Sequence, residues 1–127
     1  MNAHQLIYHQ SSLPFPFAKA TEFNQILYLS GQVSLAEDAT PIYGSVSTQT
    51  QRIMTNISNT LIELQSDLNQ IIKVTVWLSD MSHFEEFNKA YRTFFSQGFP
   101  ARSVVCSKLA FGLDVEIEVQ ALKIIEI

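Results

Sequence analysis

The stretch "IIKVTVWLS", residues 71–79, alternates apolar and polar side chains and decides the fold. Its apolar members share one face of a strand (Ile72, Val74, Val76 and Leu78), and Lys73, Thr75 and Trp77 share the other. The stretch "LDVEIEVQALKI", residues 113–124, repeats this pattern, with Val115, Ile117, Val119 and Ala121 opposite Glu116, Glu118 and Gln120. Strict alternation is typical of half-buried strands. The two stretches therefore predict a sheet with one apolar face and one mixed face.

Four further stretches are rich in β-branched or aromatic residues and predict strands: "QLIYH" (5–9), "FAKAT" (17–21), "QILYLSGQV" (25–33) and "RSVVCSK" (102–108). Two stretches have helical periodicity instead. The first runs over 46–65 with apolar residues at Ile53, Met54, Ile57, Leu61 and Leu64, and Ser45 or Ser47 is its expected N-cap. The second, "SHFEEFNKAYRTFF" (82–95), begins at an expected Ser82 cap, with Glu85 completing a capping box.

The order of elements is strands, helix, strand, helix, strand, strand. It predicts an α+β fold, a mixed six-stranded sheet with both helices on one face, in a single domain spanning residues 1–127. Two helices cover only one face of such a sheet. The other face carries a tryptophan among polar groups, so we expect a second copy of the chain to cover it in an oligomer.

The composition of the chain argues against several classes of function. The chain has 127 residues and a net charge of −4, and its 8 basic residues form no cluster, which argues against nucleic-acid binding. No apolar run is long enough to span a bilayer, and the N-terminus lacks signal-peptide features, so we expect a cytoplasmic protein. The histidines His4, His9 and His83 have no metal-ligand spacing, and no metal is predicted. The lone cysteine, Cys106, lies in an apolar strand and is expected to be buried and inert.

Arg102 opens the strand in "FPARSVVCSK" (99–108), where a permanent charge needs a reason. The short connection to the last strand suggests a hairpin-like pairing, in which Arg102 faces a pocket floored by Glu116 or Glu118. There the guanidinium would capture a carboxylate and a glutamate would activate water. A structural Arg–Glu ion pair at a subunit interface is the alternative. Asn88 is expected either to reach the ligand or to make a local hydrogen bond.

Four segments resemble, in order and spacing, the Rid family (also called YjgF): "ILYLSGQV", "IIKVTVWLSDMSHFEEFNKAYRTFF", "FPARSVV" and "VEIEVQAL". The resemblance implies a chorismate-mutase-like architecture, a homotrimer with a central barrel, and clefts at the subunit interfaces. It implies a 2-iminobutanoate/2-iminopropanoate deaminase-like hydrolase that converts 2-imino or enamine acids, such as 2-aminoacrylate, to 2-oxo acids and ammonia. No cofactor is implied.

By the same resemblance, Arg102 clamps the substrate carboxylate and Glu116 holds the hydrolytic water. The implied substrate-binding positions are Phe17, Ser30, Gly31, Asn88 and Val104. The chain departs from the family pattern in three places. Phe17 replaces a tyrosine, Val104 replaces a cysteine, and the segment from Arg102 to Glu116 is one residue short and lacks a proline. The missing hydroxyl leaves a second interpretation open, a carboxylate-binding or regulatory module that uses the same cleft without turnover.

Overall fold

The computed structural model describes residues 5–125, so His4 lies outside the described residues. Its centre is a six-stranded sheet in the order β1-β2-β3-β6-β4-β5. Strands β4 and β5 are parallel, and every other neighbouring pair is antiparallel, which confirms the predicted mixed sheet. The strands are β1 Ile7–His9, β2 Ala20–Phe23, β3 Ile26–Leu29, β4 Ile71–Leu78, β5 Ala101–Cys106 and β6 Val115–Leu122.

The expected hairpin-like pairing of the last two strands is wrong, because β4 lies between β5 and β6. The chain leaves β4, passes through a helix and returns as β5 parallel to β4, at the outer edge of the sheet. It then crosses to the other side of β4 and runs back as β6. The short connection between β5 and β6 therefore passes the end of β4 instead of closing a two-stranded turn.

Helix α1 spans Val46–Glu63, and Ser45 is its N-cap, with the Ser45 hydroxyl accepting from the Thr48 amide at 3.0 Å. Helix α2 spans Phe84–Tyr91 and is flanked by short 3₁₀ turns at Met81–His83 and Arg92–Phe94. The expected Ser82 cap is wrong. Asp80 instead caps the preceding 3₁₀ turn, where its carboxylate accepts from the Ser82 amide at 2.8 Å, and α2 begins after His83, which makes no side-chain cap bond.

Both helices pack on one face of the sheet and enclose one buried apolar cluster. Val74, Val76, Val115 and Ile117 are completely buried there, as the alternation predicts. Ile72 is the exception and is 41% exposed, because the register with β6 shifts between Ile71 and Lys73. The extra residue turns Ile72 outward, and its neighbour on the chain, itself only 7% exposed, takes the core position.

The opposite face of the sheet is mixed in character, as expected. Glu116 pairs with Trp77, which in turn pairs with Val105 on β5, and Glu118 pairs with Thr75. These residues are partly exposed, and Val105 on the edge strand is 43% exposed. Within residues 5–125, no helix packs on this face of the sheet.

Cys106 is exposed, contrary to the expectation of a buried thiol, because β5 is an edge strand and ends there. The Cys106 sulfur lies 3.7 Å from the backbone oxygen of Ser79. No helix among residues 5–125 is both long enough and apolar enough to cross a membrane.

A buried carboxylate ties β1, β2 and the end of β6 together. Glu22, only 4% exposed, lies 3.0 Å from His9 Nε2 through one oxygen and 3.0 Å from Lys123 Nζ through the other. Burial by itself raises the pKa of Glu22. The hydrogen bonds and charges of His9 and Lys123 outweigh that effect, and the pKa lies below its usual range.

We predict that Glu22→Gln lowers the free energy of unfolding by about 1–3 kcal/mol at neutral pH. Because folding lowers the pKa of Glu22, its stabilisation is complete above the pKa of the unfolded carboxyl and is lost as the pH falls through the folded value. Urea unfolding across pH measures this. Glu63→Gln, which removes the exposed Lys19–Glu63 pair, is the control and should cost under about 1 kcal/mol. Equal losses in the two variants, or a difference that does not shrink in acid, would contradict the prediction.

Candidate functional site

A groove of about 730 Å³ opens beside the N-terminal half of β6. Its walls are the segment before β2, the loop after β3, one side of α1 and the turn at Ala110–Phe111. Glu116 lies in its lining together with three of the predicted binding residues, Phe17, Ser30 and Gly31. The structure therefore brings four of the seven predicted site residues together, and we call these four the glutamate half-site.

Gly31 is a glycine because the Glu116 carboxylate packs directly on it. The chain after β3 continues along β6, with Gln32 and Ile117 exchanging two backbone hydrogen bonds of 2.9 and 3.0 Å. A Cβ atom at position 31 would collide with Oε2 of Glu116. The role of Gly31 in binding substrate stays a prediction, and its neighbour within the chain is the glutamate.

Glu116 is poised to exchange protons. Burial raises the pKa of its carboxyl, and the charge of Glu118, two residues along the same face, raises it further. Among residues 5–125 no cation lies within ion-pair distance of Glu116. A carboxyl that is partly desolvated, uncompensated and set in a groove is typical of general acid–base sites.

Ser30 and Phe17 shape the same groove. The Ser30 hydroxyl donates to the Ala18 carbonyl at 2.6 Å, and the Ser30 amide donates to the Lys19 carbonyl at 3.1 Å. Ser30 therefore fixes the segment that carries Phe17, and its hydroxyl proton is already used. The Phe17 ring is 42% exposed toward the groove side of that segment.

Arg102 lies elsewhere, at the edge strand β5 beside α2. One guanidinium nitrogen donates to Asn88 Oδ1 at 2.8 Å, so Asn88 contacts a residue far along the chain instead of making a local hydrogen bond. Three aromatic rings surround the guanidinium carbon, with centroids at 5.1, 5.7 and 5.8 Å (Tyr91, Phe87 and Phe84). Val104 follows on the same side of β5 and packs against the core. Arg102, Asn88 and Val104 form the arginine half-site.

Tyr91 borders the arginine half-site, and the sequence analysis assigned it no role in the site. It is 3% exposed, and its hydroxyl has no hydrogen-bond partner among the described residues. Burial raises the pKa of Tyr91 to about 12, although the nearby Arg102 charge opposes this. The phenol therefore stays neutral at physiological pH, and its ring face is what Arg102 contacts.

The two half-sites do not meet within one chain. Arg102 pairs with Val74 and so projects on the helix side, whereas Glu116 pairs with Trp77 and projects on the opposite side, with β4 in between. The expected single pocket holding Arg102 above Glu116 or Glu118 is therefore wrong for the isolated chain. The alternative, an Arg–Glu ion pair at a subunit interface, stays a prediction, and within residues 5–125 Arg102 forms no ion pair with a carboxylate.

Known proteins are similar to this chain over most of its length. Residues 11–123 match the family model described as endoribonuclease L-PSP. The chain belongs to this family. Protein MMF1, mitochondrial, of Saccharomyces cerevisiae is 38% identical over 108 residues, covering 84% of this chain and 74% of the relative. The solved structure of yeast Mmf1 gives a TM-score of 0.87 at 35% identity, covering 94% of this chain and all (100%) of that one.

Two further relatives connect this L-PSP family member to the Rid name and to a reaction. A Yersinia pestis protein described as belonging to the Rid protein family gives a TM-score of 0.86 at 30% identity, covering 93% and 99% of the two chains. The mouse protein named 2-iminobutanoate/2-iminopropanoate deaminase is 32% identical over 110 residues, covering 85% of this chain and 82% of the relative. The resemblance to the Rid family is confirmed.

Within the described part of the chain, no three side chains of the His, Cys, Asp and Glu types gather closely enough to share an ion.

We predict that Gly31→Ala lowers the free energy of unfolding by at most about 1 kcal/mol, because the new methyl group displaces only the end of the flexible Glu116 side chain. A double-mutant cycle measured by urea unfolding tests the cause. In a Glu116→Ala background the same Gly31→Ala change should cost markedly less. Equal costs in both backgrounds would show that Gly31 is needed for another reason.

Proposed function

We propose that this protein hydrolyses reactive 2-imino or enamine acids to 2-oxo acids and ammonia. The observation that carries the proposal is Glu116, a partly buried carboxylate with a raised pKa, packed on Gly31 in an open groove. The named activity of the mouse relative supports the same reaction class. An imine carbon is already electrophilic, so orientation and one positioned water supply most of what the reaction needs.

Arg102 would bind the carboxylate of the substrate. One of its nitrogens is held by Asn88, which leaves the rest of the planar fork for a bidentate contact. The flanking rings of Phe84, Phe87 and Tyr91 exclude water from its sides and strengthen an interaction with an anion. The backbone at Val104, two residues further along β5, would supply an additional amide contact.

Glu116 would activate the water. Its carboxylate accepts a proton as the water oxygen bonds to C2 of the imine, and the C=N double bond becomes a C–N single bond. Glu116 then returns the proton to the nitrogen. In the resulting carbinolamine Glu116 takes the proton of the new hydroxyl and passes it to the nitrogen, so that the C–N bond breaks as the C=O bond forms, and ammonia leaves. The raised pKa of Glu116 matches this double role, because the group must both take and give a proton near neutral pH.

Assembly into a homotrimer would unite the half-sites. The arginine half-site lies at the free edge of the sheet, and Glu116 of the glutamate half-site projects from the mixed face. In a cyclic assembly the same two unlike surfaces meet at every interface, so each interface can join Arg102 of one subunit to Glu116 of the next.

A second function has one observation in its favour, namely that Phe17 offers no hydroxyl to the groove. The same cleft would then bind small carboxylates as a regulatory module without turnover. Tight 2-oxo acid binding with no acceleration of imine loss is the result that this alternative requires.

For location we propose the cytoplasm, since the exposed thiol of Cys106 suits a reducing compartment, although the yeast relative MMF1 is named mitochondrial.

We predict that Arg102→Ala and Glu116→Ala each abolish imine hydrolysis, and that mixing the two restores it. In randomly mixed oligomers about one quarter of the interfaces would combine an intact Arg102 with an intact Glu116. The measurement is imine loss in a coupled assay, in which an amino-acid oxidase generates the imine, after co-refolding of the two variants.

The matched control is Arg102→Ala mixed with the Arg102→Ala, Glu116→Ala double variant, which cannot form an intact site. Hybrid oligomers seen by native mass spectrometry but without recovered activity would contradict a shared site. Activity retained by Arg102→Ala alone would refute the clamp.

We also predict that the acidic limb of the kcat/KM profile lies above the ordinary titration range of glutamate, because Glu116 must be ionised to act as base and its pKa is raised. Glu118→Gln should move this limb to lower pH, since it removes one of the two causes, while burial still holds the pKa up. Asp67→Asn makes the same charge change before the start of β4, outside the lining of the groove, and should leave the limb in place. A limb that ignores Glu118→Gln would exclude Glu116 as the titrating base.

A further inference from the structure

The glutamate half-site continues into a wall of aromatic rings, two of which had no predicted role. Phe15 stacks on Phe17 with ring centroids 5.9 Å apart and meets Phe111 at 6.2 Å. All three line the same groove as Glu116 and Gly31. Phe17 and Phe111 remain 42% and 45% exposed, so the rings present a contiguous apolar surface instead of completing the core.

Phe111 is held in a conformation that costs free energy. Its backbone is left-handed, with φ 62° and ψ 13°, which is unfavourable for a residue with a Cβ atom. Gly112 follows, also at a positive φ of 66°, and the Tyr43 hydroxyl donates to the Phe111 carbonyl at 2.8 Å. The buried core cluster does not include Phe111, so core packing does not explain the strain. Strain of this kind, fixed by neighbours at the rim of a groove, is typical of ligand-binding positions.

The size of the groove exceeds the needs of a small substrate. A cavity of about 730 Å³ falls in the range that encloses drug-sized ligands, whereas a three- or four-carbon imino acid would fill a small part of it. Polar side chains of α1 (Arg52, Asn56 and Asn59) line the same groove as Glu116 and the rings. One cation of the lining, Lys19, is already paired with Glu63 at 2.7 Å.

We propose that the groove selects 2-imino acids with an aromatic side chain, whose ring stacks on Phe15 and Phe111 while C2 lies at Glu116. This inference rests on the proposed function and names its substrate class. Offset or tilted packing of a substrate ring at centroid distances like those seen among Phe15, Phe17 and Phe111 adds a geometric preference to simple burial. Tyr43 acts as a positioning residue, since it contacts Phe111 and would not contact the substrate.

The test is a substrate comparison in the coupled assay, with imines generated from phenylalanine, alanine and glutamate. Wild type should show the highest kcat/KM for the phenylalanine-derived imine. Phe111→Ala should lower that value about tenfold and leave the alanine-derived imine within about twofold. Tyr43→Phe should lower the ratio of the two values in the same direction, by less. Ile62→Ala, an exposed apolar truncation on α1 outside the groove, is the matched control and should change neither.

Calorimetric binding of phenylpyruvate and pyruvate separates this inference from the proposed function. If no imine is hydrolysed, the proposed function fails, and tighter phenylpyruvate binding that needs Phe111 still supports the aromatic groove. If imines are hydrolysed with no aromatic preference, or Phe111→Ala slows all substrates equally, the function stands and this inference is overturned. A preference for the glutamate-derived imine overturns it as well. So does an oligomer that dissociates in Phe111→Ala, because the rings would then be a subunit contact.

Discussion

The antiparallel pairing of β4 with β6 is the constraint on which both the core and the site depend. Val76 opposite Ile117 belongs to the buried face. The adjacent pair, Trp77 opposite Glu116, belongs to the mixed face. A slip of one residue would exchange the faces and place Glu116 in the core without a partner, at a cost of several kcal/mol. The apolar contacts that stabilise the domain therefore also fix the direction of the catalytic carboxylate proposed here.

A second register sets the arginine. Parallel pairing with β4 puts Arg102 opposite Val74, on the side where α2 supplies Asn88 and the aromatic rings. Separation by β4 keeps each half-site uncompensated within the chain. In the proposed assembly, the complete constellation exists only where two subunits meet, which links chemistry to oligomerisation.

Periodicity located much of this fold. Alternation and helical spacing predicted six strands, two helices, the mixed sheet and the single covered face. Both patterns report which side chains of a segment face the core. The order of strands did not follow, because alternation states which side chains are buried and not which strand is the neighbour. The Ile72 bulge and the exposure of Cys106 on an edge strand were not predicted for the same reason, since each depends on which strands are neighbours. The Asp80 cap is local and was missed because Ser82 offered a competing cap.

The site divides in a similar way. Motifs brought attention to Arg102, Glu116 and Gly31, but their separation onto two faces required the strand order. Phe15 and Phe111 were missed, although an aromatic residue beside a glycine in a loop, as in "AFG", is a usable signal. Loop rings lack periodicity, so only their convergence in space distinguishes them from ordinary exposed residues.

Two buried or partly buried glutamates of the same sheet show what distinguishes structure from function here. Burial raises the pKa of both carboxyls. At Glu22 the contacts with His9 and Lys123, each at 3.0 Å, reverse the effect, whereas at Glu116 a second carboxylate adds to it. A charge compensated from within the chain stabilises the fold and has nothing left to offer a ligand. Glu116 has no such compensation among residues 5–125. Phe111, whose backbone is strained, borders the same groove. The uncompensated carboxylate and the strained backbone of this chain therefore lie where a substrate and a neighbouring subunit would bind.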